Sequence, residues 1–118
     1  MTDGEAKSIA GAYLYSHGYE VMDRGVMPFR HGLTALDFVG YDKGRGVVVG
    51  FQVAARNRGD GMEDIAAEWR YGRSPYFVRA TRKWCFNNGW RKGFRADCIS
   101  VFDDGSIDHI VGTPREAI

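Results

Sequence analysis

Two apolar runs separated by Asp42-Lys43-Gly44-Arg45-Gly46 constrain this chain's fold more than any other feature. Residues 35–41 and 47–55 read as strands, and the glycines between them supply the positive backbone angles that a tight hairpin needs. Val47-Val48-Val49 is apolar on both faces, which suits a central strand rather than an edge. Each run carries one polar group, Asp37 in the first and Gln52 in the second. Ala54 shares a face with Gln52, because strand side chains alternate. A carboxylate in an apolar strand is costly unless it is paired. Asp37 therefore either belongs to a site or is held in a salt bridge, with Arg56 or Lys7 as the partner.

The remaining elements follow from local signals. Thr2-Asp3-Gly4-Glu5 matches a capping box, and Ile9, Ala10, Tyr13, Leu14 and His17 repeat at helical spacing up to Gly18, so a helix is predicted over residues 3–17. Residues 19–26 read as a strand and 27–34 as a loop. Residues 57–61 read as a polar link, and 62–71 as a short helix or an ordered loop. Ser74-Pro75 predicts a helix start with Ser74 as cap, and Gly89 closes that helix. Residues 94–102 and 107–111 read as two further strands around an Asp103-Asp104-Gly105 turn. The chain of 118 residues, 44% hydrophobic, fits one domain over 1–118. The expected class is α/β, with a mixed sheet of about five strands flanked by helices in the order α-β-β-β-α-β-β.

The net charge of +1 says nothing about partners, but its distribution does. Between Trp69 and Arg95 stand Arg70, Arg73, Arg79, Arg82, Lys83, Arg91, Lys92 and Arg95, with no acid among them. Such asymmetry suits a polyanion. The alternative is a solvated helix face paired with Glu63, Asp64 and Glu68. Cys85 and Cys98 sit among apolar neighbours and read as reduced core residues. With no leader recognised and apolar runs too short to span a bilayer, a cytoplasmic protein with no membrane partner is expected. His17, His31 and His109 are scattered and suggest no catalytic group.

An acid on one hairpin strand facing a polar-x-polar pair on the next is how many metal-dependent nucleases hold their cations. On these residues the chain resembles YraN-type proteins, presumed endonucleases related to Holliday-junction resolvases within the PD-(D/E)XK superfamily. The resemblance covers nearly the whole chain. It rests on Gly4-Glu5 with Ala10 and Tyr13-Leu14, on Gly18-Tyr19, and on Thr34-Ala35-Leu36-Asp37-Phe38. It continues through Gly50-Phe51-Gln52-Val53-Ala54-Ala55-Arg56, the basic helix over 74–88, and Arg95-Ala96-Asp97-Cys98-Ile99. It implies a restriction-endonuclease-like fold in which Asp37 and Gln52 hold Mg²⁺ or Mn²⁺ and Glu5 assists. Gln52 stands where the second carboxylate belongs, Ala54 where a lysine belongs, and Ala35 where a further Glu belongs. These departures predict weak or absent hydrolysis.

Each of these residues has a plainer reading as well: Glu5 as a capping partner, Gln52 as a core amide, and the tryptophans as packing groups, with Trp90 exposed as the variant. Arg79, Arg82 and Lys83 on one helix face, with Arg56, Arg58 and Arg73 nearby in the expected fold, suit phosphates. The sequence thus predicts a nuclease-fold protein that binds nucleic acid, DNA foremost, with weak or no phosphodiesterase activity. Two alternatives are a degenerate nuclease fold that docks a protein or forms a homodimer, and a working structure-specific DNA endonuclease.

Overall fold

Thr2 starts the first helix by the expected device. Its hydroxyl accepts from the Glu5 N–H at 3.1 Å, and the Glu5 carboxylate accepts from the Thr2 N–H at 3.3 Å. Helix α1 runs Asp3–Ser16 and buries Ala6, Ala10 and Leu14, spaced four apart on one face. Gly18 then turns the chain at φ +83°, a left-handed angle that suits glycine. The computed structural model describes residues 1–118 except His31, Leu33, Arg58, Asp60 and Gly61 and the side chains of Met62 and Glu63. The predicted loop at 27–34 and polar link at 57–61 therefore lie partly outside the described residues.

Strands β1 (Tyr19–Val26), β2 (Leu36–Asp42) and β3 (Val47–Arg56) pair antiparallel in sequence order. Asp42 shapes the β2–β3 turn, its Oδ1 accepting from the N–H groups of Gly44 and Arg45. Strand β3 then pairs parallel with β4 (Gly93–Phe102), so it is central, as its valines predict. Strand β5 (Ile107–Ile110) adds antiparallel to β4. A two-residue strand β6 (Arg115–Glu116) pairs with the start of β4 and was not predicted, which makes a mixed sheet of six strands among the described residues. Among those residues no helix is long and apolar enough to cross a membrane.

The crossover between β3 and β4 corrects the sequence reading. Helix α2 spans Met62–Glu68 and runs on through a π-helical turn, Trp69–Arg73, into α3, Ser74–Asn87. Ser74 is not a cap, because its own N–H donates to the Trp69 carbonyl five residues back and Arg73 is already helical. Ile65 and Trp69 are buried in the same cluster as Phe77, Val78 and Trp84, so packing keeps the chain helical through the predicted start. The wide turn immediately precedes Pro75, which has no N–H to give an α-helical bond.

The sheet is covered on both faces. Helix α1 packs on Phe38, Val49, Phe51, Ile99 and Val101. Helix α3 packs on Val39, Val48, Phe94 and Cys98. Gly50 lets α3 come down on β3, since a Cβ there would overlap the Thr81 side chain.

A charged network is sealed on the α1 side. Arg95, 1% exposed, donates through Nε to both oxygens of Asp97 at 3.0 and 3.2 Å. Its other nitrogens reach Asp42 at 2.9 Å and the Tyr19 hydroxyl at 2.6 Å. Asp97 also accepts from the Gly112 N–H at 2.8 Å and contacts His109 Nε2 at 2.7 Å. A carboxylate only accepts, so Nε2 carries the hydrogen and, in the neutral ring, Nδ1 accepts from the Tyr13 hydroxyl at 2.9 Å. Burial opposes the charge on Asp42, but Arg95 and the turn N–H groups outweigh it and hold the carboxyl below its ordinary value. Burial likewise opposes the Arg95 charge, and its bonds to Asp97 and Asp42 raise its pKa regardless.

Candidate functional site

Regular pairing between β2 and β3 ends at Phe38 opposite Phe51, and Asp37 lies one residue beyond. There its side chain takes the place of a ladder carbonyl, Oδ2 accepting from the Val53 N–H at 2.7 Å. The other oxygen faces Lys7 Nζ of α1 at 3.4 Å, with the Asp37 side chain 16% exposed. Of the two salt-bridge partners the sequence suggested, Lys7 is the one that meets it. Arg56 instead reaches Glu68 at 3.8 Å.

Gln52 is buried on the α3 side of β3, and Arg73 lies over it. The two amide orientations are told apart by chemistry, since a nitrogen facing a guanidinium would set donor against donor. With the oxygen toward Arg73, Gln52 accepts from Nη2 at 2.6 Å and from Nη1 at 3.3 Å. Asp37 and Gln52 thus border one cleft of about 390 Å³, lined also by Thr34, Ala35, Arg73, Tyr76 and Phe77. The hairpin places the acid and the amide together on that cleft, as expected from the sequence. A carboxylate at Ala35 would border it too, whereas Ala54, paired with Ser100 in the parallel ladder, is not among its lining residues.

The other expected residues divide. The described hydrogen bonds of Glu5 go to Thr2, so the α1 side chain that meets Asp37 is Lys7. Arg58 lies outside the described residues. Arg79, Arg82 and Lys83 project from α3, each with its cation over a ring: Tyr76 at 5.3 Å, Phe94 at 5.2 Å and Phe86 at 4.9 Å respectively. Trp90 is packed rather than exposed, its Nε1 donating to the Gly93 carbonyl at 2.9 Å. Sequence reading missed Tyr76 and Phe77 as cleft residues. Their one advance signal was position, on the first turn after Ser74-Pro75 beside Arg73.

Cys98 lies next to Gln52 in the parallel ladder and, like Cys85, is a free buried thiol. Burial pushes the Cys98 thiol up to about 11, against opposing pulls from Arg56, Ser100 and Arg73. Burial also pushes Cys85 up to about 11. Neither thiol is a nucleophile at neutral pH.

Mg²⁺ or Mn²⁺ asks for several oxygen ligands, carboxylates foremost. Here one carboxylate has an N–H on one oxygen and an ammonium on the other. The amide oxygen beside it is turned to a guanidinium, whose charge would repel a cation. Among the described residues, no three His, Cys, Asp or Glu side chains gather where a metal ion could be held. The residues present do not fit a divalent cation. The cleft instead presents the Arg73 guanidinium beside the Asp37 carboxylate.

No protein-family model matches the chain, and no curated protein matches it.

Proposed function

We propose that this chain is a nuclease-fold domain, restriction-endonuclease-like as its resemblance to YraN-type proteins implies, that binds nucleic acid and cleaves it weakly or not at all. One observation carries the reading: the Arg73 guanidinium lies on the Gln52 amide oxygen. At a metal-dependent site that oxygen would face a cation, and the cation would face the scissile phosphate. Here Arg73 itself supplies positive charge to the cleft, held by Gln52 and free to meet a phosphate oxygen with its remaining N–H groups. Arg79, Arg82 and Lys83 extend that charge along α3, and such contacts position a nucleic acid without reading its sequence. DNA is the expected form.

The test assays cleavage of branched and single-stranded DNA with Mn²⁺ beside salt-dependent DNA binding. Wild type is expected to bind at low salt, release with rising salt and leave the strands intact. Cleavage by wild type that Asp37→Ala abolishes would overturn the reading in favour of a working endonuclease. Gain of cleavage in a Gln52→Glu, Ala54→Lys, Arg73→Ala variant would support descent from an active site. If binding is absent even at low salt, the docking or homodimer reading takes its place.

A further inference from the structure

From the exposed face of α3 we infer that the nucleic acid this protein takes is single-stranded, stacked on a stripe of aromatic and basic side chains that leads into the Asp37–Gln52 cleft. The inference rests on the nucleic-acid reading above and specifies its substrate.

Tyr76, Arg79, Lys83 and Phe86 follow one another at intervals of three, four and three, so they form one line along the helix. Tyr76 is 55% exposed and Phe86 78% exposed, unusual for rings of that size on a helix whose other face is fully packed. The basic residues stand between them, Arg79 over the Tyr76 ring and Lys83 over the Phe86 ring. These contacts fix each cation beside an aromatic surface that stays open to solvent. At about 1.5 Å of rise per residue, the two rings lie about 15 Å apart along the axis.

Two further observations extend the stripe. At its far end Phe86, Phe29, Arg79, Arg82 and Lys83 border a shallow groove, so a second ring faces the end of the line. At its near end Tyr76 lines the cleft with Arg73 and Gln52. No acid occurs from Trp69 to Arg95, so the stripe suits a polyanion.

The aromatic residues decide between strand forms. Arginine and lysine alone would grip duplex and single strand alike. In a duplex the bases cover one another's faces, and only unpaired bases offer a face to Tyr76 and Phe86. A single strand laid along α3 would stack bases on the two rings, give phosphates to Arg79 and Lys83, and deliver the next phosphate to Arg73.

The test measures fluorescence anisotropy of the full chain with labelled oligothymidylate and with a blunt duplex of equal length, across salt. Wild type is expected to prefer the single strand by about tenfold or more. Tyr76→Ala with Phe86→Ala should weaken oligothymidylate binding about 30-fold or more, leaving duplex binding and the salt slope unchanged. The Tyr76→Leu, Phe86→Leu variant keeps apolar surface without a π-face and should lose as much. Arg79→Ala with Lys83→Ala should weaken both ligands and flatten the single-strand salt slope by about 1.4. Equal binding of duplex and single strand, or full binding by the leucine variant, overturns the inference and leaves the nucleic-acid reading standing. Absence of binding to either ligand at low salt overturns both.

Discussion

The two faces of the sheet treat charge in opposite ways. On the α1 side, Arg95 and Asp97 are sealed from solvent at 1% and 0% side-chain exposure, and each finds several partners. On the α3 side, Gln52 and Arg73 bond each other at an open cleft that Asp37 also borders, its own partners being the Val53 N–H and Lys7. A dry, fully bonded network is committed to the fold, because any ligand would have to break bonds that nothing else replaces. A cluster with fewer bonds at an open cleft can trade partners at lower cost. The same residue types therefore make a structural bolt on one face and a candidate site on the other.

That contrast sets the order of expected effects. Asp97→Ala leaves the Arg95 charge buried without its main partner and should cost about 3–5 kcal/mol in urea unfolding. Asp37→Ala removes one backbone bond and one half-exposed ion pair, and should cost about 1–2 kcal/mol by the same measurement. An Asp37 variant as damaged as the Asp97 variant would break the comparison.

The sealed face should make stability depend on pH. The Asp42 carboxyl titrates lower in the folded protein than its ordinary 3.8, so its stabilising share is fully present above that value. It is lost as pH falls through the lower folded value. Stability followed from pH 7 downward should therefore drop in wild type more steeply than in Asp42→Asn, and equal profiles would refute the assignment.

Smaller effects belong to the open face. Arg73→Ala should change stability by less than about 1 kcal/mol. It should nevertheless weaken nucleic-acid binding and lower the salt slope by about 0.7–0.9, as loss of one phosphate contact predicts. The smallest effect is expected at Glu5. Glu5→Gln keeps a capping box, since Gln serves there as Glu does, and should alter neither melting nor nucleic-acid binding. A clear loss of binding would return Glu5 to the site.

Legibility followed range along the chain. The Thr2–Glu5 box, the hairpin turn and the central place of β3 rest on neighbours, and the sequence anticipated them. Ser74-Pro75 marked where α3 begins but misled about the cap, because Ile65 and Trp69, buried from the preceding helix, hold the chain helical up to that point. The Arg95-x-Asp97 alternation was visible as part of a motif, but its meaning was not. Asp42, Tyr19 and His109 reach it from three other strands.

The sequence by itself determined which chemical groups this protein owns and where most of its elements lie: the acid at Asp37, the amide at Gln52, no lysine at Ala54, and a basic stretch without acids through α3. Only the tertiary structure decided which of those groups meet. It set Arg73 on Gln52 and Lys7 on Asp37, and opened Tyr76 to the cleft they share. The physical reason is that backbone propensity and side-chain alternation act over a few residues. Partners across elements depend on strand register and on how closely α3 can sit over Gly50, which packing of the whole chain fixes.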